Sequence, residues 1–193
     1  MEDKLRNIEH HTLSDEWATL DRVEYDYKFE NGWKRLSRES YNRGNGTSLL
    51  LYNSKKGTVI LTKQFRMPAY VNNPEDGMSI EVCAGAIDKD EAPETCIIRE
   101  AREEVGYKID AVKKVMECYM SPGAVTEKMY LFVASYDDTM KITDGGGLDA
   151  EDEEIEVLEM PFAKAMEMVE NFEIIDAKTI MLLQYARIHK LLS

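Results

Sequence analysis

The sequence predicts an α+β fold in which helices flank a mixed sheet, preceded by a short β extension. Apolar and polar residues alternate over residues 23–29, which is typical of a half-buried strand. Between residues 47 and 160, several apolar runs of strand length are separated by turn residues. Residues 93–105 instead place apolar side chains three and four positions apart, which indicates a helix. A chain of 193 residues can bury one well-formed core around these elements.

The first 43 residues predict a β-hairpin. After the alternating strand, Asn31-Gly32 is a strong two-residue turn, and Trp33–Tyr41 reads as the return strand. An isolated hairpin is only marginally stable in water, so its aromatic face must dock on the main domain or on a second subunit. The segment 43–46 contains two glycines and an asparagine and marks a joint. We therefore divide the chain into an extension, residues 1–43, and a main domain, residues 44–193.

The main domain mixes strands with a few helices. Its predicted strands are Thr47–Tyr52, Thr58–Gln64, Met78–Ala84, Val112–Met120, Lys128–Tyr136 and Ile155–Met160. Its predicted helices are 93–105, 161–171 and 178–192, and Pro93 suits the first turn because its missing N–H costs nothing there. Residues 67–77 and 144–154 are predicted loops, and the second is expected to be flexible because three glycines precede its acidic run.

Composition excludes several classes of function. The net charge of −13 argues against nucleic acid or an anionic membrane as a partner, because both require basic surface. No apolar run is long enough to span a bilayer, and the charged N-terminus does not resemble a signal peptide. Cys83, Cys96 and Cys118 form no C-x-x-C pair, so we expect reduced thiols in a cytoplasmic protein. His10 and His11 form no zinc pattern and are expected in a flexible, exposed N-terminus.

The helix at 93–105 carries a cluster of carboxylates. Glu100, Glu103 and Glu104 are spaced so that they project together. Clustered like charges are unfavourable unless a cation compensates them, and a hard divalent cation takes oxygen ligands and binds phosphates. We therefore predict a Mg²⁺ site, with Mn²⁺ as the alternative metal. Arg99 precedes Glu103 by four residues, so the two should pair and orient the ligands.

The spacing around this helix forms a longer pattern, G-x5-E-x7-R-E-U-x-E-E-x-G-U, where U is an apolar residue. The chain matches it in one register at Gly85, Glu91, Arg99, Glu100, Glu103, Glu104 and Gly106. Ala101 is a small residue at its U position, and Tyr107 replaces the usual aliphatic residue. An ordinary acidic amphipathic helix would not explain the glycine and arginine positions. The pattern is that of the Nudix box, which is typical of enzymes that cleave a pyrophosphate.

Three further features could contribute to such a site. Arg66 ends a predicted strand and could bind a phosphate with two hydrogen bonds, although a lone surface arginine is the alternative. Glu127 lies in a loop after a strand, where sites are often built, although a plain turn is the alternative. The acidic run 149–154 could close over substrate and add a carboxylate to the metal, Glu153 first and Glu151 second. Solvated charge is the alternative for this run.

Beyond the box, the chain resembles bacterial Nudix hydrolases of the GDP-mannose pyrophosphatase (NudK) family, within the ADP-ribose/ADP-sugar pyrophosphatase branch. The resemblance is carried by Leu13–Asp15, Tyr41–Gly46, Gln64–Arg66, Cys83–Gly85, the box, Tyr119–Gly123, Val125–Glu127, Gly145–Gly147 and Glu156–Glu159. It implies the Nudix α/β/α sandwich with a mixed sheet. It also implies that the N-terminal β extension is exchanged across a homodimer.

The resemblance further implies the site residues. Metal would be held by the Ala84 carbonyl, Glu100, Glu104 and Glu153. Substrate would be contacted by Trp17, Arg38, Glu39, Arg66, Ala84, Gly85, Glu127, Asp152 and Lys178. Trp17 stands where the family has a tyrosine, and the acidic loop is two residues longer here, so the register of Glu153 differs from the family pattern.

The implied reaction is Mg²⁺-dependent hydrolysis of a nucleotide sugar, GDP-mannose to GMP and mannose 1-phosphate. A carboxylate would take a proton from the attacking water, and Glu104, Glu153 and Glu103 are the candidates, because base catalysis and metal ligation use the same residue type. An ADP-ribose or ADP-sugar pyrophosphatase is the alternative. A catalytically silent, nucleotide-binding Nudix-fold protein is a third hypothesis, and the intact box carboxylates count against it.

Overall fold

The structure is a computed structural model that describes residues 2–147 and 154–192. It divides into two compact units, one formed by Met1–Asn45 with Cys118–Lys128 and the other by Gly46–Glu117 with Met129–Ser193. The first unit holds a three-stranded antiparallel sheet in the order β1-β2-β3. Its strands are β1 (Leu5–Asp15), β2 (Thr19–Phe29) and β3 (Gly32–Asn42).

The predicted hairpin is present as β2 and β3, but the expected flexible N-terminus is wrong. Residues 5–15 form β1, which pairs with β2 from Leu5 opposite Tyr27 to Asp15 opposite Thr19. Register shifts interrupt this pairing twice, and all but the first residue of β1 are exposed. A strand that is bulged and exposed needs no regular alternation of apolar and polar residues, and β1 has none. That alternation is the pattern that predicts β2 from the sequence.

The second unit is built on a seven-stranded mixed sheet. Its strands are β4 (Gly46–Asn53), β5 (Thr58–Phe65), β6 (Met78–Glu81), β7 (Cys83–Ala86), β8 (Lys113–Tyr119), β9 (Lys128–Ser135) and β10 (Glu156–Pro161). The order is β10-β5-β4-β9-β8, with β6 paired to β5 and β7 paired to β4. The β4–β9 pair is parallel, whereas β4 is antiparallel to β5 and β7. The predicted mixed sheet is therefore confirmed.

Within residues 2–147 and 154–192, four α-helices accompany the sheet: α1 (Met67–Asn72), α2 (Pro93–Glu103), α3 (Phe162–Glu170) and α4 (Ala177–Ile188). Helix α1 lies in the stretch predicted as a loop, and it has a proline in its first turn. Residues 178–192 were predicted as one helix, but α4 ends at Ile188. No helix in the described residues is long and apolar enough to cross a membrane.

The predicted strand over residues 78–84 is two strands with a break at Val82. The Val82 N–H donates to the side-chain hydroxyl of Thr179, at an N···O distance of 2.8 Å, rather than to a neighbouring strand. Strand β6 therefore pairs with β5, and β7 pairs with β4. Because of this break, the backbone of β7 lies beside helix α2.

Helix α2 packs into the main core. It buries Cys96, Ile97 and Ala101, which lie on one face of the helix. Ile97 and Ala101 belong to an apolar cluster with Leu49 and Phe132 of the sheet. Burial of such apolar area holds the helix against the sheet, so the carboxylates that α2 carries are fixed in place.

Candidate active site

Helix α2 begins at Pro93, as the sequence predicts, and ends at Glu103, two residues before the predicted end at residue 105. Pro93 occupies the first turn, after Ala92 in an extended conformation. At the other end Gly106 has a φ of +77°, and the Tyr107 N–H donates to the Ala101 carbonyl at 2.9 Å. A Cβ on Gly106 would lie only 2.3 Å from the Thr143 carbonyl oxygen. Glycine is therefore required at this left-handed cap for both its conformation and its size.

Two of the box carboxylates lie directly against strand β7. The Ala84 N–H donates to Oε2 of Glu104 at 3.0 Å, and Glu104 is 3% exposed. A Cβ added to Gly85 would lie 2.1 Å from Oε1 of Glu100. Because Gly85 has no side chain, it leaves the space that the Glu100 side chain occupies. The structure brings together Ala84, Gly85, Glu100 and Glu104, as the sequence predicted.

Arg99 links the remaining box carboxylates. Its Nη1 lies 2.8 Å from Oε2 of Glu103, which is the predicted pair, and 2.9 Å from Oε1 of Glu100. Its Nε and Nη2 reach Glu91 at 3.4 and 3.3 Å. The hydrogen bonds with Glu91 raise the pKa of Arg99, and the same contact holds the pKa of Glu91 below its ordinary value. The single positive charge of Arg99 cannot balance the negative charges of Glu91, Glu100, Glu103 and Glu104 together.

The donor set fits a hard divalent cation. Burial raises the pKa of the Cys83 thiol well above its ordinary value, and the negative charges of Glu104 and Glu100 raise it further. The carboxylates of Glu104 and Glu100 therefore lie close enough to Cys83 to add to the effect of burial. Oxygen ligands of this type are those that Mg²⁺ and Mn²⁺ prefer. The remaining predicted ligand, Glu153, and the predicted substrate contact Asp152 lie outside the described residues.

Three glycines before the acidic run pack against the end of α2. Gly145, Gly146 and Gly147 all have positive φ values, between +72° and +116°. Gly146 N–H donates to the Glu104 carbonyl at 2.9 Å, and a Cβ on Gly145 would lie 2.4 Å from the same oxygen. We interpreted these glycines as a source of flexibility; in the structure Gly145 instead allows close approach to the end of α2. They bring the chain onto the carboxylate-bearing end of α2.

Arg66 follows β5 and is bound to a buried carboxylate. Its Nε and Nη2 donate to the two oxygens of Glu81, at 2.8 and 3.0 Å. Lys178 donates to Glu81 at 2.6 Å and to Asp176 at 2.8 Å. Asp176 also caps α4 by accepting the N–H of Thr179 at 2.9 Å. The structure thus brings the predicted substrate contacts Arg66 and Lys178 together through Glu81.

The charges in this network are mutually stabilised. Burial raises the pKa of Glu81, but the hydrogen bonds and charges of Arg66 and Lys178 outweigh that effect and lower the pKa from 4.5 to about 2. Burial lowers the pKa of Lys178, and the charges of Glu81 and Asp176 outweigh it and raise the pKa overall. Glu81 was not singled out from the sequence. The available signal was one acidic residue within an apolar strand, Ser-Ile-Glu-Val-Cys.

The other predicted substrate contacts lie in the first unit. The exposed ring of Trp17 lies 5.2 Å from the guanidinium of Arg43, measured to the ring centroid. Nε of Arg43 lies 3.3 Å from Oε1 of Glu127, so Arg43 links two predicted residues although it was not predicted itself. Arg38 and Glu39 line a concave surface of the same unit, beside the loop that includes Pro122–Thr126.

A second group of potential metal ligands lies on the first sheet. Side-chain atoms of Glu9, His11 and Glu24 lie within 4.8 Å of one another. Nη2 of Arg35 already lies 3.0 Å from Glu9 and 3.3 Å from Glu24. Because a guanidinium already compensates both carboxylates, we interpret this group as an ion-pair cluster.

Comparison with known proteins agrees with the geometry. A model of the NUDIX domain matches residues 42–183, and a model of the GDP-mannose pyrophosphatase NudK N-terminal domain matches residues 4–41. The chain is 52% identical over 187 residues to a GDP-mannose pyrophosphatase of Yersinia pestis (strain Pestoides F), covering 96% of this chain and 93% of that protein. It is also 52% identical over 190 residues to a GDP-mannose pyrophosphatase of Yersinia enterocolitica, covering 98% of each.

A solved structure supports the fold. The crystal structure of an ADP compounds hydrolase aligns with a TM-score of 0.70, covering 94% of this chain and 91% of that one. Its sequence is 22% identical, so the similarity bears on the fold alone. The predicted α+β class and Nudix fold are confirmed by this match together with the domain model.

Proposed function

The chain belongs to the Nudix hydrolase family, and from that premise we propose that it hydrolyses GDP-mannose to GMP and mannose 1-phosphate. The observation that carries the proposal is the placement of Glu100 and Glu104 against β7, where Gly85 leaves room for one carboxylate and the Ala84 N–H binds the other. The choice of GDP-mannose is supported by the names of the relatives, which match along nearly the whole chain.

We propose Mg²⁺ as the metal, with Mn²⁺ as the alternative. Glu100, Glu104, the Ala84 carbonyl and Glu153 would hold it. A bound divalent cation would offset charge on the phosphate oxygens and lower the pKa of a bound water. Arg99 keeps Glu100 and Glu103 oriented through hydrogen-bonded ion pairs of 2.9 and 2.8 Å.

The chain's own residues would bind the substrate and move the proton. Arg66 would contact a phosphate, and the exposed ring of Trp17 would offer a stacking face to the base. The attacking water would give its proton to a carboxylate and its oxygen would bond to one phosphorus. The bond from that phosphorus to the bridging oxygen would break, and the bridging oxygen would leave with the other phosphate. Glu103 is engaged by Arg99, so we propose Glu104 and Glu153 as the candidate bases.

We further propose a homodimer in the cytoplasm, formed through the N-terminal extension. Ile8, Leu13, Phe29 and Trp33 expose between 38% and 54% of their surface in the first unit, and obligate dimers cover such side chains. The three cysteines are free thiols, in keeping with a reducing compartment. Sedimentation of the intact chain should give a dimer, and Phe29→Lys should shift it towards monomer. A monomeric intact chain would contradict this proposal.

A panel of nucleotide sugars tests the substrate. We would measure kcat/KM for GDP-mannose, ADP-ribose and ADP-glucose at fixed Mg²⁺, and identify products by ³¹P NMR. We expect the highest kcat/KM for GDP-mannose, GMP and mannose 1-phosphate as products, and no turnover in EDTA. A higher value for ADP-ribose would establish the alternative substrate class. No turnover of any compound would favour the catalytically silent hypothesis.

A further inference from the structure

Arg66 is bound along one edge of its guanidinium group. Nε and Nη2 donate to the two oxygens of Glu81, which makes a pair of parallel hydrogen bonds. The Arg66 side chain is 42% exposed, whereas that of Glu81 is 4% exposed. A guanidinium carries five N–H groups in a fixed, planar fork. The N–H groups on Nη1 are therefore directed away from the buried carboxylate.

We propose that Glu81 is a positioning residue, which fixes the guanidinium plane of Arg66 so that its remaining edge meets a phosphate of the substrate. The inference rests on the proposed pyrophosphatase function and deepens it. Glu81 itself touches no substrate in this arrangement. Its effect on the reaction passes through Arg66.

Glu81 is suited to this role because it is itself immobile. It ends β6 and pairs with Thr62 in the neighbouring strand, and its carbonyl accepts the Thr62 hydroxyl at 3.3 Å. An arginine on the surface can adopt many side-chain conformations, and ordering it on binding costs entropy. Two parallel hydrogen bonds to a rigid carboxylate order the Arg66 side chain already in the free protein, so substrate binding does not carry that entropy cost.

Lys178 holds the other side of the Glu81 carboxylate. Its ammonium contacts Glu81 and Asp176, and its side chain is 14% exposed. Two cations thus face two carboxylates, so Glu81 can stay ionised although it is buried. The network also reaches the backbone, because the hydroxyl of Thr179 accepts the N–H of Val82 at the break between β6 and β7.

A purely structural salt bridge is the competing interpretation, and a double-mutant cycle separates the two. We would measure kcat and KM of wild type, Glu81→Gln, Arg66→Ala and the double variant with GDP-mannose. We expect Glu81→Gln to lower kcat/KM by about 10- to 100-fold, the loss that is typical when a residue that orients a metal ligand is removed. In the Arg66→Ala background the same change should have no more than about a twofold effect, because the group it orients is gone.

Glu159→Gln is the matched control. Glu159 lies on β10 of the same sheet. It accepts hydrogen bonds from Thr58 and Tyr136 and forms an ion pair with Lys56. It has no contact with Arg66 or Lys178 among those described, so its loss should leave kcat/KM within about twofold of wild type. Equal losses from Glu81→Gln with and without Arg66 would overturn the positioning role, and so would no loss at all.

A second measurement does not depend on turnover. In ¹⁵N-labelled protein, the Nε–H of Arg66 should give a slowly exchanging, downfield resonance, assigned by its absence in Arg66→Lys. We expect Glu81→Gln to abolish it while the backbone amide spectrum stays native. If the resonance persists, Glu81 does not orient Arg66. If it vanishes but no nucleotide sugar is hydrolysed by wild type, the proposed function fails while the positioning of Arg66 stands.

Discussion

Replacing Gly85 by alanine tests the proposed metal site with one methyl group. Gly85 has no positive φ, so its backbone conformation suits alanine. The new Cβ would lie 2.1 Å from Oε1, 2.2 Å from Cδ and 2.4 Å from Cγ of Glu100. The backbone of β7 is held by its pairing with β4, so the Glu100 side chain must move instead.

The size of that movement sets the expected effect. Ordinary van der Waals contact begins at 3.4 Å, so Oε1 must retreat by at least 1.3 Å. A misplacement of about 1 Å in a catalytic arrangement can cost roughly 100-fold in rate, and we expect a fall of that order in kcat. The folded state should suffer less, because a strained side-chain rotamer costs about 0.5–1.5 kcal/mol. In a chain of this size that corresponds to a loss of about 1–6 °C in Tm.

The assay is kcat for GDP-mannose as a function of Mg²⁺ concentration, with thermal unfolding followed in EDTA. We expect Gly85→Ala to need more Mg²⁺ for half-maximal activity. Gly57→Asn is the control, because Gly57 has a φ of +68° that asparagine tolerates and a Cβ there meets no atom within 4 Å. Wild-type kcat with wild-type Mg²⁺ dependence in Gly85→Ala would refute the placement of Glu100 as a ligand.

Three further variants test other parts of the site. Glu104→Gln should lower kcat at least about 100-fold, as for loss of other electrostatic groups, while Tm in EDTA holds or rises because like-charge repulsion falls. Because the pKa of Glu81 is lowered from 4.5 to about 2, its ionised form stabilises the fold fully above pH 5. The difference in unfolding free energy between wild type and Glu81→Gln, measured by urea titration, should therefore shrink as the pH falls from 4.5 towards 2. Glu153→Gln should lower kcat more than it raises KM, and Glu154→Gln should be milder; the reverse order would show that the loop register is shifted.

The box could be predicted from the sequence because local spacing determines its geometry. Helical periodicity alone places Arg99 beside Glu103, and the pair is observed at 2.8 Å. Gly106, a fixed position of the box pattern, has the left-handed conformation of a helix cap. The buried face was less predictable, since Cys96 is fully buried whereas Ile98 is only half-buried. Cysteine and isoleucine are both apolar, so pattern alone does not rank them.

Features that depend on distant residues could not be predicted. Glu81 and Lys178 are 97 positions apart, and no local pattern links them. The break at Val82 likewise depends on Thr179, which supplies the acceptor that a neighbouring strand would otherwise provide. A strand-length run of mainly apolar residues reads as one strand whether or not a side chain interrupts its backbone pairing.

Arg66 shows how a residue type can be identified without its role. From the sequence it was either a phosphate contact or a surface arginine, and both interpretations leave its conformation free. The structure adds a requirement, because two parallel bonds to Glu81 use one edge of the guanidinium and leave the other edge available. A lysine ammonium is a compact charge and cannot satisfy both demands at once. Arg66→Lys should therefore behave as a loss of orientation rather than as a conservative change, although the charge is retained.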